Sequence, residues 1–322
     1  MIEAAIVGLG RWGRNLVSAV QGTSGKLRFV RAVVRDRDKA RAFAKEHGLE
    51  LSTDLANVLS DPRVPAIVLA TPHSLHAEEV VAVANAGKAV FCEKPLALTR
   101  SDAERAVDAC ARAGVALAVG HDKRFWPSMQ ALARMVKSGE LGEILHVEGH
   151  FSNESTGRYY EGWRASDVDA PGGGLTAMGA HIFDAFVGVM GAANRVQAHV
   201  LRHPPAPAPV DTVTLFIEFE SGVSGVVCGV RTTPSYWRVH VFGKDASVEA
   251  VGPTALTVRR TDAQPEHFTF EPVNSLRAEL EAFADAVTAR APYPITPKQM
   301  IDGVALLEAA IRSFHSGEAV RP

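Results

Sequence analysis

The chain has 322 residues, 47% hydrophobic and 22% charged, with a formal net charge of -2. That length suits two hydrophobic cores, and the near-neutral charge excludes the basic excess of a nucleic-acid binder. No apolar run reaches the roughly 18 residues of a membrane-spanning helix, so no membrane partner is expected.

Residues 1–122 alternate short apolar runs with amphipathic stretches. The runs at 66–70, 89–92 and 115–119 are apolar throughout, and those at 2–7 and 27–34 are apolar apart from Glu3, Arg28 and Arg31, as strands covered on both faces are. Between most of them lie segments with helical composition at 37–47, 76–86 and 102–113, closed by Gly48, Gly87 and Gly114. Alternating strand and helix predicts an α/β domain with an open, doubly wound parallel sheet. From residue 123 the pattern changes. A helix is expected at 127–138, then strands at 144–151, 210–219, 225–231 and 236–242, then helices at 276–290 and 297–316. This predicts an α+β domain over 123–322 with a mainly antiparallel sheet. The proline-rich stretch 203–209 is expected to be a surface loop. The N-terminus enters an apolar strand without a positively charged leader, from which a cytoplasmic location is expected. Cys92, Cys110 and Cys228 have no paired spacing and fit reduced thiols, so neither a disulfide framework nor a metal site is expected.

The first strand runs into Gly8-Leu9-Gly10-Arg11-Trp12-Gly13, a GxGxxG that follows a strand and opens a helix. Gly8 permits the tight turn, Gly10 lets the backbone approach a pyrophosphate, and Gly13 lets helix and strand pack closely. The helix start offers amides and a positive dipole end to phosphates. A dinucleotide-binding Rossmann domain is therefore expected. The residue that usually chooses between the two nicotinamide cofactors lies about 20 positions further on. Val34 stands there, followed by Arg35, which suits a 2′-phosphate, and Asp36, which suits free ribose hydroxyls. NADP is favoured over NAD on Val34 and Arg35, with Asp36 as the contrary signal.

Further along the chain come Ala70-Thr71-Pro72-His73 with His76, then Cys92-Glu93-Lys94-Pro95, Gly120–Pro127 (GHDKRFWP) and Gly172–Asp184 (GGGLTAMGAHIFD). In this order and spacing, over nearly the whole chain, they resemble the glucose–fructose oxidoreductase and inositol dehydrogenase (Gfo/Idh/MocA) family. The resemblance implies a second domain with a large open sheet that commonly forms a homodimer or homotetramer interface. It implies hydride transfer between a nicotinamide and a carbinol of a sugar, polyol or related small molecule, including cyclic dihydrodiols. The 70–76 segment and Glu93 would lie along the cofactor. Lys94 matches the family's catalytic lysine, and a lysine at the end of a buried parallel strand sits where open sheets bind ligands. His181 matches the family's second catalytic residue. Most members carry an aspartate four residues before it, where this chain has Ala177; Asp184 and Thr176 are the nearest polar substitutes. Arg124, Tyr160, Trp163 and Arg164 are candidate substrate contacts, arginine being suited to a carboxylate. His73 and His76 lack the further ligands that a metal would need. Ala177 also leaves open two other readings: an enzyme that reduces and reoxidises a tightly held NAD in each turnover, and a non-catalytic NADP(H)-binding regulator.

Overall fold

The computed structural model describes residues 1–153, 162–201, 212–231 and 233–322. They form two compact units. The first comprises Met1–Ala97, Ser101–Asp122 and Asn274–Pro297; the second comprises Leu98–Arg100, Lys123–Val273 and Lys298–Pro322.

The first unit is built on strands β1 (Ile2–Val7), β2 (Leu27–Val33), β3 (Glu50–Ser52), β4 (Ala66–Leu69), β5 (Ala89–Glu93) and β6 (Leu117–Gly120). They lie in the order β3-β2-β1-β4-β5-β6, and every pairing is parallel. Helices α1 (Arg11–Val20), α2 (Arg37–His47), α3 (Ala56–Leu59), α4 (His76–Asn85) and α5 (Arg100–Ala113) connect the strands. β4 and β5 are buried at every position, which explains why they are apolar up to the Glu93 that closes β5. The strand order reverses between β1 and β4, and open α/β sheets bind ligands beyond the carboxyl ends of strands at such a switch.

A single division after residue 122 differs from these units in one element. Helix α8 (Ser275–Val287) returns to the first unit. Phe283 packs edge-on against Phe91 of β5 at 5.8 Å. Arg277 Nε donates to the Ala19 carbonyl at 3.0 Å, and Lys26 pairs with Asp285 at 2.6 Å. An amphipathic helix announces that it has an apolar face, but not which sheet covers that face.

The second unit contains α6 (Pro127–Ser138), β7 (Ile144–Asn153), α7 (Ala180–Met190), β8 (Ala193–Leu201), β9 (Thr212–Phe219), β10 (Ser224–Arg231) and β11 (Tyr236–Gly243). It continues with β12 (Ala246–Val251), β13 (Ala255–Arg260), β14 (Glu266–Thr269) and α9 (Pro297–Ser316). The sheet order is β14-β13-β12-β11-β7-β10-β9-β8, antiparallel except where β10 pairs with β7. One face is apolar: Val213, Leu215, Ile217 and Phe219 alternate inward along β9. Helix α7 lies against that face. A Cβ on Gly149 of β7 would stand 2.8 Å from Ile182 Cγ2 and 2.9 Å from Phe186, so glycine is what lets the helix approach. The alternate positions carry an ion-pair ladder, with Arg238 2.6 Å from Glu148 and Arg259 2.9 Å from Glu249. Strands β3, β8, β12, β13 and β14 were not expected from sequence. The 203–209 stretch lies outside the described residues.

Candidate functional site

The glycine loop leaves β1 at Gly8, whose φ of +96° is a conformation that side chains rarely adopt. A Cβ there would also lie 2.6 Å from the Ala70 carbonyl oxygen. At Gly13 a Cβ would lie 1.9 Å from the Gly8 oxygen, so α1 packs on the loop only through glycine. Gly10 differs: nothing lies within 4 Å of where its Cβ would stand. Gly10 is also the N-cap of α1, and no side chain caps that helix start. An open cradle ahead of an uncapped helix N-terminus fits a pyrophosphate, so these residues suit the dinucleotide that the sequence predicts. Gly13→Ala is expected to force the loop and α1 apart, costing about 1–3 kcal/mol, and to weaken NAD(P)H binding at least tenfold. A thermal melt and a fluorescence titration check this; unchanged values for both would refute it.

Arg11 is exposed and Trp12 is half-buried. At the end of β2, Val33 and Val34 are buried while Arg35 and Asp36 are exposed. Asp36 is the N-cap of α2: its Oδ1 accepts from the amides of Lys39 at 3.2 Å and Asp38 at 3.1 Å. The Lys39 amide foremost holds its carboxyl below the usual range. One oxygen of the candidate ribose acid is therefore occupied within its own turn.

After β4, the Ala70 amide donates to the Val7 carbonyl at 2.9 Å, keeping this segment beside β1. The Thr71 hydroxyl donates to Glu79 Oε2 at 2.5 Å, and burial raises the Glu79 carboxyl. Pro72 precedes a tight turn over His73–Leu75. His73 is half-buried, its ring edge-on to His76 at 5.7 Å. His76 is fully buried, with Nδ1 2.7 Å from the Pro95 carbonyl and Nε2 3.1 Å from the Thr71 carbonyl. The sequence places His76 along the cofactor; the structure gives both of its ring nitrogens main-chain partners, so it braces the 71 and 95 segments together.

Glu93 closes β5 and Lys94 follows it, half-buried at the carboxyl end of the sheet. The Glu93 side chain is buried, and Oε2 accepts from the Lys94 amide at 3.3 Å. Burial pushes its carboxyl up to about 8; Asp122 adds to the rise, while the Trp12 indole and Lys94 oppose it. The glycine loop and the lysine strand thus meet at one end of one sheet, through Trp12 and Glu93.

In the second unit, a π-helical turn over Leu175–Gly179 precedes α7, an irregularity that proteins often place at functional positions. Ala177 lies in this turn. Thr176 is fully buried, its hydroxyl without a hydrogen-bond partner among the described residues. His181 is in the first turn of α7, 8% exposed, with its ring edge-on to Phe151 at 5.8 Å. Phe151 in turn meets Trp237 at 5.5 Å, and Trp237 meets Trp126 at 5.5 Å. The Lys123 ammonium sits over these rings, 4.4 Å from Trp126, 5.6 Å from Phe151 and 5.7 Å from Trp237. Sequence reading missed Lys123, Phe151 and Trp237. Lys123 lies within GHDKRFWP, so its position was visible there, but strand partners set the cage of rings.

Two expected substrate contacts hold each other. Arg124 Nε donates to Asp184 Oδ2 at 2.6 Å, and its Nη2 to Asp184 Oδ1 at 3.0 Å and the Asp184 carbonyl at 2.8 Å. Asp184 is 4% exposed. As a stand-in for the missing aspartate at 177, it is already engaged. Trp163 carries the Arg164 guanidinium over its ring at 4.1 Å. Tyr160 lies outside the described residues.

Comparison with known proteins bears on the fold and the family. Residues 2–121 match the model of an oxidoreductase family with an NAD-binding Rossmann fold, and residues 129–249 match the GFO/IDH/MocA C-terminal domain. The chain is 30% identical over 322 residues to the D-xylose 1-dehydrogenase (NADP(+)) 2 of Haloferax volcanii, covering 95% of each chain. It is 31% identical over 261 residues to the scyllo-inositol 2-dehydrogenase (NAD(+)) of Bacillus subtilis, covering 78% of this chain and 71% of that one. Among solved structures, GenD2 from gentamicin A biosynthesis in complex with NAD superposes with a TM-score of 0.86 at 25% identity, over 100% of this chain and 96% of that one. With both domain models matched in order and relatives aligned nearly end to end, the chain belongs to the Gfo/Idh/MocA family of NAD(P)-dependent oxidoreductases.

Proposed function

We propose that the protein moves hydride between NADP(H) and the carbinol carbon of a small sugar, polyol or cyclic diol, with Lys94 exchanging the hydroxyl proton. The observation that carries this reading is the meeting of the glycine loop and the Lys94 strand end through Trp12 and Glu93. When bound, the nicotinamide supplies the hydride acceptor or donor. Gly8, Gly10 and Gly13 shape the phosphate cradle. Lys94, half-buried at the strand end, stands where open sheets bind ligands and is the group we assign to exchange a proton with a substrate hydroxyl. In the second unit we assign His181 and Lys123 to substrate recognition. An imidazole and an ammonium, both bordered by the Phe151 ring, offer polar groups for hydroxyls beside an apolar wall. The sugar and inositol dehydrogenases among the relatives support the substrate class.

The test is turnover with NADP or NAD across a panel of pentoses, inositols and cyclic diols. Reduced cofactor is expected to accumulate in step with oxidised product. Silence across the panel, or turnover without net reduced cofactor, would overturn the reading.

NADP is preferred here because Val34 occupies the acid's place, Arg35 is exposed, and Asp36 caps α2 through Oδ1. Arg35→Ala removes a charge-assisted bond worth about 1.5–3 kcal/mol. It should weaken NADP at least tenfold and change NAD affinity about twofold or less. Equal losses for both cofactors would show that Arg35 does not read the 2′-phosphate.

A further inference from the structure

Glu93 lies in a pocket built around its carboxyl. A Cβ on Gly120 of β6 would stand 2.8 Å from Glu93 Oε1 and 3.0 Å from its carboxyl carbon, so the neighbouring strand has room for the acid only because glycine is there. Oε1 is buried with no hydrogen-bond partner among the described residues. The Trp12 indole Nε1 is likewise buried without a partner at good hydrogen-bond geometry, and it borders this same carboxyl. The indole already acts on the carboxyl as a donor, but neither atom has a well-formed hydrogen bond; the two are complementary, and closing the pair removes two costs at once.

We propose that Trp12 and Glu93 form a proton-sensitive link between the glycine loop and the strand end that carries Lys94, with Glu93 acting on Lys94 as a positioning residue. The proposal rests on the reading of Lys94 as the proton-exchanging group. An indole N–H is a donor only, and an ionised carboxylate accepts far better than a carboxylic acid does. Ionising Glu93 therefore tightens the link and places a negative charge beside Lys94, favouring its ammonium form. Protonating Glu93 loosens the link and lets Lys94 give up its proton more readily. The groups facing this carboxyl are Lys94 after β5, Asp122 after β6 and the buried Cys92 thiol on β5, with the neutral Trp12 from α1. Asp122 is itself buried and accepts from the Ser275 hydroxyl at 3.3 Å. Burial places the Glu93 titration at about 8, within the range in which an enzyme is assayed.

The experiment is a pH titration of the indole N–H resonances in the ¹⁵N-labelled full chain. The protein has four tryptophans, and Trp12→Phe identifies one resonance by its loss. The Trp12 signal is expected to move with a midpoint near 8 in the wild type and to stay fixed in Glu93→Gln, while the other three signals report an intact fold. A Trp12 signal that does not move between roughly pH 6 and 9.5, or that moves identically in Glu93→Gln, overturns the link. If Glu93→Gln does not fold, Glu93→Asp serves: a displaced midpoint supports the proposal and an unchanged one overturns it. Kinetics test the positioning role separately. In the oxidation direction, Glu93→Gln removes a negative charge near Lys94, so the acid limb of the pH profile should shift to lower pH by about 0.5–1 unit. A titrating indole with an unmoved limb overturns the positioning role. Loss of the Lys94 assignment itself would show as full turnover in Lys94→Ala, while the indole titration of the wild type and its absence in Glu93→Gln would stand.

Discussion

Lys94→Ala is expected to lower kcat about a thousandfold, within the range that a positioned acid–base group contributes, while the melting temperature changes little. Lys94 is half-buried at the end of β5 and is not part of the hydrophobic core, so its truncation opens no large cavity. Cofactor affinity should fall less than tenfold, because the cradle we propose for the phosphates is formed by the glycine loop and α1, not by Lys94. Lys94→Arg separates two roles. Arginine keeps the positive charge but does not give up its proton. If Lys94 exchanges the substrate proton, the arginine variant stays nearly as slow as alanine. Recovery of most of the rate would show that Lys94 acts as a fixed charge. A full rate in Lys94→Ala would end the assignment.

The parts of this molecule legible in the sequence are those set by local patterns. Apolar runs such as Ala66–Leu69 and Ala89–Cys92 are strands because both sheet faces are covered, and that leaves an unambiguous trace. The glycine loop is legible for the same reason: Gly8 and Gly13 answer to close contacts within the loop and with the adjacent strand end, and Gly10 leaves the space ahead of α1 open. The missed strands have weaker traces. β14 is exposed at all four positions, and β12 mixes alanine and glutamate into its alternation, so neither reads as a half-buried strand by composition. β3 has only three residues and is held by its partner β2. The site was legible in its motifs but not in its pairings. That Arg124 would take Asp184, that His76 would bridge two carbonyls, and that Trp12 would border Glu93 are long-range contacts. No spacing rule along one element yields them, since sheet order decides which loops become neighbours.

The Arg124–Asp184 pair carries the second large expected effect, on stability. Both partners belong to the second unit, and their side chains are 16% and 5% exposed. Replacing Asp184 with alanine leaves a largely buried guanidinium without its carboxylate, a loss of about 3–5 kcal/mol for pairs so placed. For a unit of this size the melting temperature should fall by roughly 6–20 °C. Asp184→Asn keeps the shape and part of the hydrogen bonding and should fall less. The same variant weighs the pair against the substrate role that the sequence suggests for these residues. Assayed well below its melting point, Asp184→Asn should keep kcat/KM within about threefold if the aspartate acts only through Arg124. A stable variant with a large loss of kcat/KM would return Asp184 to the substrate. Gly188 offers an independent check, because a Cβ there would stand 2.0 Å from Arg124 Nη1. Gly188→Ala should therefore expel the guanidinium from its seat on α7 and destabilise the protein much as Arg124→Ala does. Combining the two changes should cost clearly less than their sum, because the seat can be lost only once.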